Sequence, residues 1–487
     1  AGDTLASALL ANGVRLVGRS FKYHRPRGLL AAGYEEPNAL VTVTSDGARE
    51  PNIRATELEI YDGLAAESQN RFPSLRFDLM AANQLAGKAF GVGFYYKTFM
   101  GPVIGPLKGT RVWMFCEHFI RRAAGLGAAG TTPDPARYER MNAFCDVLVV
   151  GSGPSGLEAA RAAAADGKRV MLCETSAVFG GSANWSGPDA AAFAETVLSG
   201  LEDNPDVTLL KRTTVWGCYD GNTFAALERV ADHKAKPDPG EPRHRHWVIR
   251  AGRIVVATGT LERGLVFPGN DRPGVMLTSA AQRFAGEYGV LPGRRIVVFA
   301  NNDSAYEAAA KLRSDHDAVI GAIVDVRPTV GDWAQSLAKE AGAEVLAGYA
   351  VVATGGVNGL SSVTVQPYDA EIGAFPGPRR RIACDTLLMS GGWSPVVHLA
   401  SQAGARPVWD DKLQAFLPPD SDGDWEAVGS AAGEGIEPPA PVFEIAAKGD
   451  KAFVDFQHDV TADDVRLAHR EGYGSVEHLK RYTTLGM

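Results

Sequence analysis

The residues best suited to chemistry are glycines: Gly151, Gly153 and Gly156 in the run Gly151-Ser152-Gly153-Pro154-Ser155-Gly156. An acid, Glu174, follows about twenty residues further on. Gly151 permits a tight turn, Gly153 lets a backbone approach a pyrophosphate, and Gly156 lets a helix pack closely on a strand. The free N–H groups and positive end of a helix starting there face phosphate. Glu174 is placed to accept hydrogen bonds from a ribose hydroxyl. The chemistry implied is the holding of a dinucleotide. No Ser/His/Asp constellation, acid, base or nucleophile stands out elsewhere. Cys116, Cys145, Cys173, Cys218 and Cys384 form no CxxC pair. His244 and His246 alternate but lack the further ligands a metal needs. His398, in PVVHLAS, reads as a packed or orienting histidine.

The elements that must position these residues are visible around them. Asp146 to Val150 is a short apolar strand, and Leu157 to Ala165 is an alanine-rich helix. Asp166-Gly167 closes it, and Arg169 to Cys173 is the next strand. A domain that kept the glycines for packing alone is the competing interpretation. Thr175, Ser176, Gly180, Gly181 and Ser182 then make a loop able to close over a pyrophosphate. Residues 206–216 and 246–258 read as strands, with a polar hairpin tip from Asp232 to His246. Thr258-Gly259 ends the second of these. A late element, Trp425 to Gly433, carries Ser430 where many flavoproteins have an Asp, which weakens an FAD assignment.

Residues 294–325 repeat the plan of strand, turn, helix and strand. The phosphate glycines are replaced by Ala300-Asn301-Asn302-Asp303-Ser304, where Asp303 or Ser304 is expected to cap the helix. This second unit is expected to have lost its nucleotide. The fold class is α/β, a scaffold of two dinucleotide-binding, Rossmann-like domains of the FAD/NAD(P)-binding superfamily.

With 487 residues, 45% hydrophobic and 22% charged, the chain has room for roughly two to four domains. The net charge of −8 argues against generic nucleic-acid binding. Scattered cysteines fit a reducing, cytoplasmic compartment, and no apolar run is long enough to span a membrane. The opening AGDTLASALL looks like a domain interior, with helical spacing over residues 3–18, so earlier strands are expected to be missing. Arg19 to Gly28 is basic, either a clamp for an anionic partner or, in the preferred interpretation, a solvated loop. Residues 38–60 alternate like strands around an Asp46-Gly47 turn. Phe90 to Pro106 and Trp113 to Gly127 read as a packed linker with one possible helix.

The opening segment resembles the ferredoxin-like β-grasp domain of flavin-dependent amine dehydrogenases. Its loop, Leu29 to Pro37, has no cysteine, so it is expected to carry no 2Fe–2S cluster. GRSFKYHRPRG, EEPNALV, NDRPG, NDSAYE, GGWSPVVHL and SVEHLKRYTTLGM together resemble the α subunit of heterotetrameric sarcosine oxidase. The resemblance implies a subunit that holds NAD beside Ser155, Glu174, Thr175, Ser176, Ser182, Val215 and the Ser430–Gly435 region. It further implies FAD and FMN held by partner subunits or at an interface, a small amine substrate and tetrahydrofolate as co-substrate. Alternatives are a self-contained FAD/NAD(P)H oxidoreductase, a subunit of a related amine or amino-acid dehydrogenase, and a non-catalytic scaffold.

The expected domains are 1–95, a cluster-less β-grasp remnant; 96–140, a linker; 141–265 plus 376–445, the NAD domain; and 266–375, the degenerate second domain. Residues 446–487 lead toward a folate-binding domain that the family carries after SVEHLKRYT and that this sequence does not include. Glu434 to Pro441 is shorter than in the family and rich in proline, which is expected to weaken closure over NAD.

Overall fold

The computed structural model describes residues 2–45, 48–85, 92–93, 117–118, 127–419 and 423–486. Helix α1 (Leu5–Ala11) begins at Thr4 with a reciprocal capping box to Ser7 and stops at Asn12, before left-handed Gly13. It is shorter than the spacing over 3–18 predicts. Strands β1 (Gly18–Arg19) and β2 (Pro26–Arg27) pair as a ribbon. Strands β3 (Leu40–Ser45), β4 (Ala48–Arg54) and β5 (Ala65–Ser68) form an antiparallel sheet in the order β4-β3-β5. Ser45 and Ala48 are in register. The Asp46-Gly47 turn between them lies outside the described residues, as do Cys116 and most of Phe90–Pro106 and Trp113–Gly127.

The first nucleotide-type unit contains β6 (Tyr138–Val150), β7 (Val170–Cys173), β8 (Val207–Leu210), β9 (Thr213–Tyr219), β10 (Thr223–Arg229) and β11 (His244–Val256). Their order is β8-β7-β6-β11-β10-β9, and Trp425–Ala427 joins β11. The parallel part runs from β8 to β11 and the 425–427 strand, whereas β11-β10-β9 is an antiparallel meander. Residues 206–216 are two strands, because Arg212 turns the chain at φ +55°. Helices α2 (Pro154–Ala165) and α3 (Pro188–Glu202) cover one face. Alternation along β6 sends Leu148 and Val150 to one core and Val149 to the other, so the sheet is buried on both sides.

Strand β12 (Thr260–Glu262) leads into the second unit. That unit comprises β13 (Val275–Leu277), α4 (Thr278–Tyr288), β14 (Ile296–Ala300), α5 (Ser304–His316), β15 (Ile320–Asp325), α6 (Asp332–Glu340) and β16 (Glu344–Ala347). A meander of β17 (Tyr349–Gly355), β18 (Ser362–Pro367) and β19 (Arg380–Ala383) precedes β20 (Thr386–Ser390). The parallel sheet has the order β13-β20-β14-β15-β16. Strand β20 therefore belongs to the second unit, which corrects the expected return to the first domain at residue 376. The return follows Ser390, where β21 (Trp393–Pro395) pairs with β12. The buried core of the second unit is continuous with that of the N-terminal domain, from Ala6, Leu29 and Val41 to Phe284, Ile323 and Leu388.

The basic loop is not solvated, contrary to the preferred interpretation. Arg25 reaches Asp271 (2.6 Å) and Asp450 (2.8 Å). Arg27, 1% exposed, pairs with Asp459 and lies 3.4 Å from Asp271. Its guanidinium also stacks over Phe453 at 4.4 Å. The anions it clamps belong to the chain itself: the NDRPG turn and the C-terminal hairpin. Removing one partner of so buried a pair costs about 3–5 kcal/mol.

Candidate functional site

The glycine turn has the geometry its spacing predicts. Gly151 sits at φ +98°, and a Cβ there would strike the Ala257 carbonyl. A Cβ on Gly156 would overlap the Gly151 carbonyl oxygen and lie 3.0 Å from Ala257, so only glycine lets α2 approach β6. Gly153 differs: a Cβ there would meet nothing within 4 Å. Its open side faces the mouth of α2, which has Gly153 at its N-cap, Pro154 as its first residue and no side-chain cap. Pro154 has no N–H to satisfy, and the next N–H groups are those of Ser155 and Gly156. Backbone with this geometry can cradle an anion.

Glu174 follows β7 directly, beside that turn. One carboxylate oxygen accepts from the Ser152 N–H (3.0 Å) and hydroxyl (2.6 Å); the other accepts from the Ser176 N–H (2.8 Å). Ser152 is fully buried and its hydroxyl oxygen also accepts from the Gly180 N–H (3.0 Å). The glycine turn, the acid and the 180–181 loop are thus one connected unit. A Cβ on Gly181 would lie 2.8 Å from the Gly153 Cα, which shows how closely that loop crosses the turn. Sequence reasoning passed over Ser152; its place between two glycines was the only available signal.

These groups open on one cavity of about 830 Å³. Gly151, Gly153, Pro154, Ser155, Gly156, Glu174, Thr175, Ser176, Gly181, Ser182, Val215, Thr258, Gly259, Ser430 and Gly435 all line it. These expected positions thus lie around one cavity, whereas Gly180 and residues 431–434 do not line it. Thr258 donates to the Val396 carbonyl (2.9 Å), and Ser430 lies across from Gly259. A Cβ on Gly429 would strike Ser155, so the late element is seated on the start of α2. His398 is exposed and lines the cavity, which corrects the packed alternative of the expected packed or orienting histidine. Glu262 also lines the cavity unforeseen: burial raises its carboxyl pKa against donors from Ser390, Thr278 and Ser279. It accepts from the Ser279 N–H (2.7 Å) and so holds α4 against the crossing strands.

The second turn is closed by its own residues. Asn301 and Asn302 are fully buried. The Asn301 amide donates to the carbonyls of Ala440 (3.0 Å) and Val442 (3.1 Å), and the Ala440 N–H returns a bond to the Asn301 carbonyl (2.8 Å). Asn302 donates to Ser390 and accepts from the Ser304 hydroxyl (2.6 Å). Neither Asp303 nor Ser304 caps α5 as expected. Asp303 pairs instead with Arg327 (2.6 Å). Glu437 faces the Ser304 N–H; burial raises its carboxyl pKa, and that N–H opposes the rise. The proline-rich 434–441 segment thus lies over the second turn as a strap, while its start, Gly435 and Ile436, borders the first cavity.

The family model of the pyridine nucleotide-disulphide oxidoreductases matches residues 145–414, the span that holds both turns and most of both sheets. The chain belongs to that family. This oxidoreductase homologue is also 45% identical to the sarcosine oxidase subunit alpha of Rhizobium meliloti (strain 1021), over 100% of this chain and 52% of that protein. It is 36% identical to that of Corynebacterium sp. (strain P-1), over 99% of this chain and 50% of that protein. The chain spans about half the length of the curated relatives it matches. A sarcosine oxidase A3 domain model matches residues 449–487. L-proline dehydrogenase from P. horikoshii shares the fold, with a TM-score of 0.63 at 18% identity over 99% of this chain and 84% of that one.

Two chemistries named by these families do not fit the residues present. A 2Fe-2S iron-sulfur cluster binding domain model matches residues 1–71. A cluster needs thiolates, and the first cysteine of the chain is Cys116. The loop is organised by Glu36 instead, whose buried carboxylate accepts from the Leu30, Ala31 and Asn38 N–H groups (each 2.7 Å). Burial nevertheless pushes its pKa up to about 7. Disulphide chemistry is also unsupported among the described residues. Cys145, Cys173, Cys218 and Cys384 are free thiols, and burial pushes each pKa up, to about 12 for Cys145 and Cys384. No described helix is long and apolar enough to cross a membrane.

Proposed function

We propose that the chain is the NAD-holding part of a tetrahydrofolate-linked sarcosine oxidase complex. In this reading, sarcosine and oxygen become glycine and hydrogen peroxide, with formaldehyde or 5,10-methylenetetrahydrofolate formed from the methyl group. FAD and FMN are held by partner subunits or at an interface between subunits. The observation that carries the reading is the contrast between an open glycine cradle on an 830 Å³ cavity and a second turn closed by Asn301 and the strap.

In the cradle, the Ser155 and Gly156 N–H groups at the start of α2 would hold the pyrophosphate. Glu174, fixed by Ser152 and Ser176, would accept from the adenosine ribose. Thr175, Ser176 and Val215 would flank the adenosine, and Ser182, Ser430 and Gly435 would face the diphosphate and second ribose. When bound, NAD supplies a nicotinamide that can accept or return a hydride. The chain's own residues orient and enclose it. No described side chain acts as a proton donor or nucleophile in this scheme; substrate oxidation belongs to the flavin-bearing subunits.

The test is to denature the purified protein and identify the released nucleotide by mass spectrometry. NAD at about one equivalent is expected from a single intact cradle. Release of FAD, or of nothing, overturns the reading. Sarcosine oxidation at full rate by this chain alone would separately overturn the division of labour.

A further inference from the structure

Arginines stand in and just behind the cavity wall next to Glu174, each within 4 Å of a carboxylate: Arg229 and Arg283 line the wall, and Arg212 lies behind the lining residue Glu59. The Arg212 Nε and Nη2 meet the two Glu59 oxygens at 2.5 and 2.7 Å. The pair is nearly buried, and Glu59 lines the cavity. Arg212 is adjacent to the binding segment, because its N–H donates to the Ser176 carbonyl (2.9 Å) and the next N–H, of Thr213, to that of Glu174 (2.7 Å). Arg229, also in the cavity wall, donates to the carbonyls of Thr175 (2.8 Å) and Glu57 (3.1 Å), with the Glu57 carboxylate at 3.8 Å. Arg283 donates to the Ser176 hydroxyl (3.3 Å) and to Glu287 (2.7 Å).

In dinucleotide folds, an acid at the end of the second strand takes the ribose 2′-hydroxyl, and a nearby arginine accommodates a 2′-phosphate when one is present. Both residue types are here, but the arginines are occupied. Two of the occupying acids, Glu57 and Glu59, come from the N-terminal domain. A 2′-phosphate entering between them would meet three carboxylates, counting Glu174, and guanidinium groups whose forks are already filled.

We propose that the N-terminal domain sets the ribose specificity of the first dinucleotide site. Glu59 occupies the Arg212 fork, and Glu57 adds a second carboxylate beside Arg229, whose donors are held by backbone carbonyls; together they make the site accept a free 2′-hydroxyl and reject a 2′-phosphate, so NAD binds and NADP does not. The domain matched to a cluster-binding family thereby acts as a selectivity wall for a nucleotide held by its neighbour. This proposal rests on the reading that the first site holds a dinucleotide with its adenosine ribose at Glu174.

The experiment is calorimetric titration of the nucleotide-stripped protein with NAD and with NADP. Wild type is expected to bind NADP at least ~100-fold more weakly than NAD. In Glu59→Gln, which frees the Arg212 fork, that ratio narrows by roughly tenfold or more. In Glu59→Gln/Arg212→Ala it returns toward the wild-type value. An unchanged ratio in a Glu59→Gln protein that still binds NAD overturns the proposal, as does an equal narrowing in the double variant. Should Glu59→Gln fail to fold, Glu59→Asp, which draws the carboxylate back from the Arg212 fork, reads the same ratio with the same two outcomes. If wild type binds NAD and NADP alike, the selectivity wall falls while the dinucleotide site stands. If it binds neither, the underlying reading falls and this one with it.

Discussion

Gly151–Gly156 and Ala300–Ser304 occupy the same place in their units, between a buried parallel strand and the helix that follows it. In the first turn the polar side chains are drawn back from the opening: Ser152 is buried against Glu174 and Gly180, and Gly153 presents bare backbone to the cavity. In the second, side chains fill the opening: Asn301 holds the strap, Asn302 holds Ser390, and Glu437 faces the first N–H of the helix. The difference teaches how a ligand site becomes structure. The Ser304 N–H at the start of the helix is met by the Glu437 carboxylate, standing where a phosphate would, while the two asparagines tie the turn to the strap and to Ser390. A polar group left without a partner in a closed site costs about 1–3 kcal/mol, which favours such a replacement once the ligand is lost.

The sharpest way to break this comparison is at Gly156. In Gly156→Ala the new methyl overlaps the Gly151 carbonyl, so α2 must shift from β6. A loss of about 3 kcal/mol in urea unfolding is expected, together with loss of copurifying nucleotide. Retention of both would mean that close packing at this glycine does not shape the cradle.

Asn301→Ala probes the other turn. It strips partners from two carbonyls, and about 2 kcal/mol of stability should go with them. Nucleotide content should stay at the wild-type level; a protein that unfolds normally but releases no nucleotide would show that the two turns are not independent.

The smallest stability effect belongs to Gly153→Ala. Its φ of −62° suits any residue and its Cβ would enter open space, so stability should change by less than about 0.5 kcal/mol. Nucleotide affinity should still fall by roughly tenfold, because the methyl takes the space reserved for phosphate. Unaltered affinity in titration would place the pyrophosphate elsewhere.

Much of this was legible in the sequence because it is local. The glycine spacing, the apolar strand before it, the alanine-rich helix after it and the acid at the end of the next strand lie within one short stretch, and each has a distinct backbone reason. The loss of glycines at 300–304 was equally visible. What fills their place was not, since the strap comes from residues around 440 and no periodicity links them to Asn301. The same limit explains the basic loop. Isolated, Arg25 and Arg27 look like a solvated patch; their acids lie at positions 271, 450 and 459, joined only by the fold. His398 misled for a different reason. It lies in an apolar run, but it opens a short helix at the edge of the cavity and is exposed there.

The Arg27–Asp459 pair also imposes a timetable. Its partners are 432 residues apart. At synthesis rates of about 5–20 residues per second, the arginine waits roughly 20 to 90 seconds for its carboxylate to be made. During that time the β1–β2 ribbon lacks both Asp459 and Phe453, and Asp271, 3.4 Å from Arg27, is the anion made before them. The β1–β2 ribbon cannot complete this contact before the 453–461 hairpin has left the ribosome. Assembly therefore joins that hairpin back to a segment made hundreds of residues earlier, and a nascent chain caught between the two leaves the interior cation without its nearest anion.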